Sequence, residues 1–77
     1  MTLGECIKKT RQKVFLTQSA FADELSVSLS TVSRWEADKS KPNLVAMKEI
    51  KNFCSKYSLP YNAIEVAWLN QEDNTNE

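Results

Sequence analysis

The side chains best suited to molecular recognition lie in the middle of the 77-residue chain. Arg34 carries five N–H donors in a fixed fork, and Ser30 and Ser33 can each donate or accept a hydrogen bond. Lys39 and Lys41 follow within a few residues and add positive charge. These groups suit the binding of an anionic partner with hydrogen-bonding edges, and they do not form the nucleophile–base pair of a covalent catalyst.

The composition argues against an enzyme, a metal protein or a membrane-spanning segment. Histidine, the commonest general base and metal ligand, is absent. Cys6 and Cys54 lack the paired spacing of a zinc or thiol-redox site, and two such thiols fit a reducing compartment. The longest apolar run, residues 44–47, is far shorter than the roughly 20 residues that span a bilayer. We therefore expect a cytoplasmic, non-enzymatic protein without a cofactor or a metal.

The net charge of zero conceals an uneven distribution. All ten Lys and Arg residues lie within residues 1–56, which carry a balance of +4, whereas residues 57–77 carry −4. The neutral total alone argues against nucleic-acid binding, but local potential matters more than net charge. The first 56 residues can therefore present a positive face.

The spacing of apolar residues predicts five short helices, and alternation typical of strands is absent. The predicted helices occupy about residues 2–14, 17–25, 28–36, 43–57 and 61–69. Thr17, Ser28 and Asn43 are suitable amino-terminal caps for three of them. We expect one all-α domain at residues 1–69 and a disordered polar, acidic tail at residues 70–77.

The second and third predicted helices are joined by about three residues, which is the spacing of a helix-turn-helix. Phe21 and Leu25 would face the core from the first of these helices, and Ala22 is small enough for the second to cross close above it. Val32 and Trp35 would anchor the second helix and leave its opposite face outward.

With suitable apolar or small residues at these positions, the chain resembles the phage-repressor and Cro-like, or lambda-repressor-like, helix-turn-helix family over about residues 3–69. The segment TQSAFADEL at 17–25 is similar to the first motif helix of the family, and VSLSTVSRWE at 27–36 is similar to its recognition helix, which lies in the major groove of DNA. It implies a compact five-helix fold and a sequence-specific transcriptional regulator of double-stranded DNA, with repression as the expected mode. Where the family usually has glycine in left-handed turns, this chain has Phe15, Ser26 and Asp38.

The resemblance also assigns roles to individual residues. The expected base contacts are Leu29, Ser30, Ser33 and Arg34. The expected phosphate contacts are Gln18, Ser28, Thr31, Lys39, Lys41 and Asn43. Arginine can pair bidentately with guanine, although a phosphate contact or a solvated side chain is the alternative for Arg34. Arg11 and Glu36 match a family pair that links the first helix to the end of the recognition helix.

The last predicted helix has more apolar surface than one core contact uses. Tyr61, Ile64 and Trp68 form one stripe, and Val66 and Leu69 point away from it. A homodimer could bury Val66 and Leu69, and two recognition helices would read two half-sites. Coverage of the first helix within one subunit is the alternative.

A second class of function is a protein-interaction module that uses the same fold. The neutral net charge and an apolar residue, Leu29, on the exposed face of the third predicted helix favour it. A DNA-binding antitoxin would combine both classes, with a protein partner such as a toxin or an anti-repressor.

Overall fold

The computed structural model describes residues 1–71 and contains five α-helices within them. They are α1 (Leu3–Lys13), α2 (Gln18–Leu25), α3 (Leu29–Glu36), α4 (Leu44–Lys56) and α5 (Asn62–Asn70). Each lies within about one residue of its predicted position, and the all-α prediction is confirmed.

The helices begin where short polar side chains satisfy unpaired backbone N–H groups. The three predicted caps are confirmed: Thr17, Ser28 and Asn43 accept hydrogen bonds from the backbone of α2, α3 and α4, respectively. Helix α1 begins with a capping box, in which the side chains of Thr2 and Glu5 each accept from the other's backbone N–H.

Within residues 1–71, four turns place non-glycine residues in the left-handed region of backbone conformation. Phe15, Ser26, Asp38 and Ser58 have φ values of 60°, 59°, 59° and 56°. The first three positions are those where the family usually has glycine, so the expected turn geometry is retained without it. The cost falls mainly on Phe15, because the side chain of a bulky residue crowds its own backbone there.

The core is formed by side chains from all five helices. Its largest fully buried side chains include Phe21, Leu25, Val32 and Ile50. Trp35 is 4% exposed and belongs to the same cluster, which confirms the predicted rotation of α3. Further core residues are Leu3, Cys6, Ile7, Ala22, Ala46, Met47, Phe53, Cys54 and Ile64. Both cysteines are free and buried.

Helix α1 approaches the end of α3 so closely that only glycine fits at the contact. A Cβ atom on Gly4 would lie 2.6 Å from the carbonyl oxygen of Trp35 and 2.7 Å from that of Glu36. The Gly4 N–H donates to the Asp38 carboxylate at 2.9 Å. The single glycine of the chain therefore permits a close helix approach, whereas the left-handed turns use other residues.

Helix α5 packs against α1 and buries Ile64 in the core. It includes Asn70, one residue beyond the predicted boundary of the domain. Residues 72–77, most of the predicted tail, lie outside the described residues. Across residues 1–71, no helix has the length and apolar character needed to cross a membrane.

Candidate nucleic-acid interface

The exposed face of α3 carries the four predicted base contacts. Leu29, Ser30, Ser33 and Arg34 are all exposed, and their spacing of one, three and one residues groups them on one side of a helix. Val32 and Trp35 occupy the buried side. Burial of these two anchors therefore fixes which side chains α3 presents to a partner.

The amino end of α3 provides polar groups beside this face. The Ser28 hydroxyl accepts from the Thr31 N–H at 3.1 Å and shares a second hydrogen bond, of 2.9 Å, with the Thr31 hydroxyl. The first turn of a helix carries partial positive charge, which favours an anion. Both predicted phosphate contacts on α3 thus lie where a phosphate would be stabilised.

An ion-pair network fixes α3 relative to α1 and α2. The Arg11 Nε and Nη2 atoms donate to Glu36 at 2.8 and 2.9 Å, and Nη1 donates to the Leu16 carbonyl at 2.8 Å. The side chains of Arg11 and Glu36 are only 11% and 4% exposed. Hydrogen bonding to Glu36 raises the pKa of Arg11, so the guanidinium stays charged. The structure thus brings together the two residues that the family resemblance pairs.

Gln18 joins this network, which the sequence did not indicate. Its side-chain amide donates to Glu36 at 3.0 Å, so the amide has a partner inside the domain. Its predicted phosphate contact remains a prediction, but in this geometry the backbone N–H groups at the start of α2 are the more available donors.

The three predicted phosphate contacts beyond α3 occupy different environments. Lys39 is exposed. The Asn43 side chain accepts from the Ala46 N–H at 2.9 Å and caps α4. Lys41 is half-buried, and its ammonium donates to the carbonyls of Trp68 and Gln71 at 3.4 and 3.0 Å. The nearness of these three residues to the motif in sequence suggested that they bind one stretch of phosphate backbone together. In the structure, Lys41 is directed toward α5 and Lys39 is exposed.

The Helix-turn-helix family model HTH_3 matches residues 7–61, and the chain therefore belongs to this helix-turn-helix family. Over 55 residues it is 36% identical to the HTH-type transcriptional activator BcrR of Enterococcus faecalis. That match covers 71% of this chain and 27% of BcrR, so the chain spans about a quarter of this relative's length.

The fold is also that of a solved repressor. The structure of the P22 c2 repressor, in complex with synthetic operator 9T in the presence of Tl⁺, superposes with a TM-score of 0.70. The match covers 83% of this chain and 92% of that one at 22% sequence identity. It confirms the predicted lambda-repressor-like fold.

Proposed function

We propose that the chain is a sequence-specific transcriptional regulator that places α3 in the major groove of double-stranded DNA. The observation that carries the proposal is the exposed face of α3, with Leu29, Ser30, Ser33 and Arg34 opposite two buried anchors. Membership of the helix-turn-helix family supports it, as do a relative named as a transcriptional activator and a structural neighbour bound to an operator.

Each side chain of this face has a suitable partner on DNA. The Arg34 guanidinium can donate to both O6 and N7 of guanine, the serine hydroxyls can bond to several base edges, and Leu29 can pack on a thymine methyl group. Ser28, Thr31, Lys39 and the backbone at the start of α2 would hold phosphates and set the orientation of α3.

The test begins with selection of bound sequences from random duplexes, followed by titration against the selected site at several salt concentrations. Arg34→Ala should cost about 1–3 kcal/mol on that site and relax preference at one base pair. Lys39→Ala should instead weaken binding to all sequences similarly, and it should lower the slope of log affinity against log salt concentration by about 0.9. A uniform loss for Arg34→Ala would show that this arginine holds phosphate.

Repression is the mode that we propose. A bound domain blocks a promoter that overlaps its site, whereas activation needs a further contact with the transcription machinery. A reporter gene with the selected site across its promoter should lose expression when the protein is produced. Unchanged or increased expression would contradict repression and leave DNA binding intact.

We also propose a homodimer that forms through α5. Leu69 is 66% exposed and Val66 is 47% exposed. Val66 borders a groove shared with Met1 and Thr2, so part of the Val66 side chain is covered within its own subunit. The exposed side chain of Leu69 is available to contact a second copy of the chain. Two subunits would read half-sites about 34 Å apart.

Sedimentation of the protein and of a Val66→Glu/Leu69→Glu variant tests the dimer. Leu44→Glu/Val45→Glu is the matched control, because these residues are 73% and 72% exposed at the start of α4. The α5 variant should be monomeric and the control dimeric. A monomeric wild type that binds DNA with one protein per site would contradict the proposal.

A protein-interaction module remains the second candidate, favoured by the exposed apolar pair Leu44 and Val45. These residues line a groove of about 670 Å³ with Val27, Trp35 and Trp68. The salt series separates the two functions, because phosphate neutralisation makes DNA affinity fall steeply with salt. Absence of salt-dependent binding to any duplex would favour the protein partner, such as a toxin or an anti-repressor.

A further inference from the structure

The loop between α3 and α4, residues 37–43, leads directly from the recognition helix to the amino end of α4. It carries Lys39, a proposed phosphate contact, and Asn43, which caps α4. Asp38 attaches one end of the loop to α1 through the Gly4 N–H. The other end is attached to α5, near the end of the described chain.

Two reciprocal hydrogen-bonding contacts make this second attachment. The Trp68 indole N–H donates to the Pro42 carbonyl at 2.6 Å. In the opposite direction, the Lys41 ammonium donates to the carbonyls of Trp68 and Gln71 and lies 4.6 Å from the centre of the Trp68 ring. We call Lys41, Pro42, Trp68 and Gln71 the loop–α5 clasp.

The clasp satisfies an electrostatic requirement of α5. The last carbonyls of a helix carry partial negative charge, which a cation in the last turn usually offsets. The last turn of α5 contains no basic residue, and Lys41 supplies the cation from the loop. Its ammonium is therefore engaged inside the domain, and the aromatic face of Trp68 adds a cation–π contact.

We propose that Lys41 and Trp68 are positioning residues for DNA binding. They hold the α3–α4 loop, and with it Lys39 and the capped start of α4, in the geometry that meets the phosphate backbone. Neither side chain needs to touch DNA. The inference rests on the proposed function and deepens it, because it makes the affinity for DNA depend on α5. Leu69, the neighbour of Trp68, lies in the proposed dimer contact, so subunit pairing and loop geometry share one helix.

The test uses two substitutions that each remove one half of the clasp. Trp68→Phe keeps an aromatic ring and removes the donor to Pro42, whereas Lys41→Met keeps most of the alkyl chain and removes the ammonium. Affinity for the selected duplex is measured by fluorescence anisotropy across a salt series, on the full chain. Thermal unfolding establishes the temperature at which every variant is fully folded. Lys56→Met is the charge-matched control.

Each clasp variant should bind about fivefold more weakly, the size of effect expected when hydrogen bonding that stabilises the bound geometry is lost. The double variant should lose little more than either single variant, because both changes release the same loop. Lys56→Met should bind like the wild type.

Three results would overturn the inference. Full affinity in a folded Trp68→Phe protein, with a loss in Lys41→Met alone and a salt slope lower by about 0.9, would make Lys41 a phosphate contact. Lower melting temperatures with unchanged affinity would make the clasp purely structural. A wild type that binds no duplex would refute the proposed function as well, whereas the first two results leave it standing.

Discussion

The Arg11–Glu36 pair tests whether burial determines what an ion pair contributes to stability. Glu36→Gln keeps the shape of the side chain and removes its charge, so that the Arg11 guanidinium faces a neutral amide. Removing one partner of a buried pair costs about 3–5 kcal/mol, because the remaining charge is left uncompensated. We expect about 3 kcal/mol, since Arg11 keeps its bond to the Leu16 carbonyl and is 11% exposed to water.

This loss is large for a chain of 77 residues. The total free energy of unfolding should be about 4–12 kcal/mol at this length. For small domains, each kcal/mol shifts the melting temperature by about 4–8 °C. Glu36→Gln should therefore lower the melting temperature by about 12–24 °C, measured by circular dichroism and checked by urea unfolding.

The matched control is the pair formed by Glu24 and Lys56. Its N–O distance is 3.0 Å against 2.8 Å for the buried pair, but its side chains are 27% and 63% exposed. Hydrogen bonds from Lys56 and Tyr57 lower the pKa of Glu24, yet solvent screens exposed pairs and they contribute little to stability. Glu24→Gln should leave the melting temperature almost unchanged. Equal effects of Glu24→Gln and Glu36→Gln would refute the argument from burial.

Two further substitutions and one labelling reaction test the turn at Phe15, the contact at Gly4 and the burial of Cys54. Phe15→Gly should stabilise the domain by about 0.5–1 kcal/mol, because the backbone strain relieved in the left-handed turn exceeds the entropic cost of ordering a glycine on folding. The Phe15 side chain is 94% exposed. Phe15→Ala keeps the strain and should give no such gain. Gly4→Ala should destabilise by about 1–3 kcal/mol, because the new Cβ would contact backbone oxygens of α3; an unchanged melting temperature would mean that α1 can move away. Burial raises the pKa of the Cys54 thiol, so a thiol reagent should label Cys54 much more slowly in the native protein than in urea, and equal rates would contradict the packing.

The helix boundaries and the rotation of α3 could be predicted because their signals are local. Thr17, Ser28 and Asn43 cap their helices through backbone groups three residues away. The spacing of Val32 and Trp35 was sufficient to assign the buried side of α3, since a helix repeats every 3.6 residues. The Arg11–Glu36 pair came from the family resemblance, because its partners are 25 residues apart.

The partners of Gln18 and Lys41 could not be predicted in this way. Gln18 begins the first helix of the motif and Lys41 lies just beyond the second, and these positions suggested that both contact phosphate. The nearest polar partner depends on how distant helices pack: Lys41 meets Trp68, 27 residues later, and Gln18 meets Glu36, 18 residues later. The aromatic stripe of α5 indicated a core role for Trp68 and gave no sign that its N–H would meet the Pro42 carbonyl.

The contact between the first and last helices has a consequence for synthesis of the chain. Leu3 and Cys6 of α1 line a groove with Ala63 and Val66 of α5, so part of α1 stays uncovered while the ribosome makes the rest of the domain. Domains made from the amino terminus fold as units once their partners have emerged. A nascent chain that ends after α4 already contains the whole helix-turn-helix but lacks the helix that covers α1 and holds the α3–α4 loop. Emergence of α5 from the ribosome is therefore the step at which α1 is covered and the α3–α4 loop acquires its hydrogen bonds to Trp68 and Gln71.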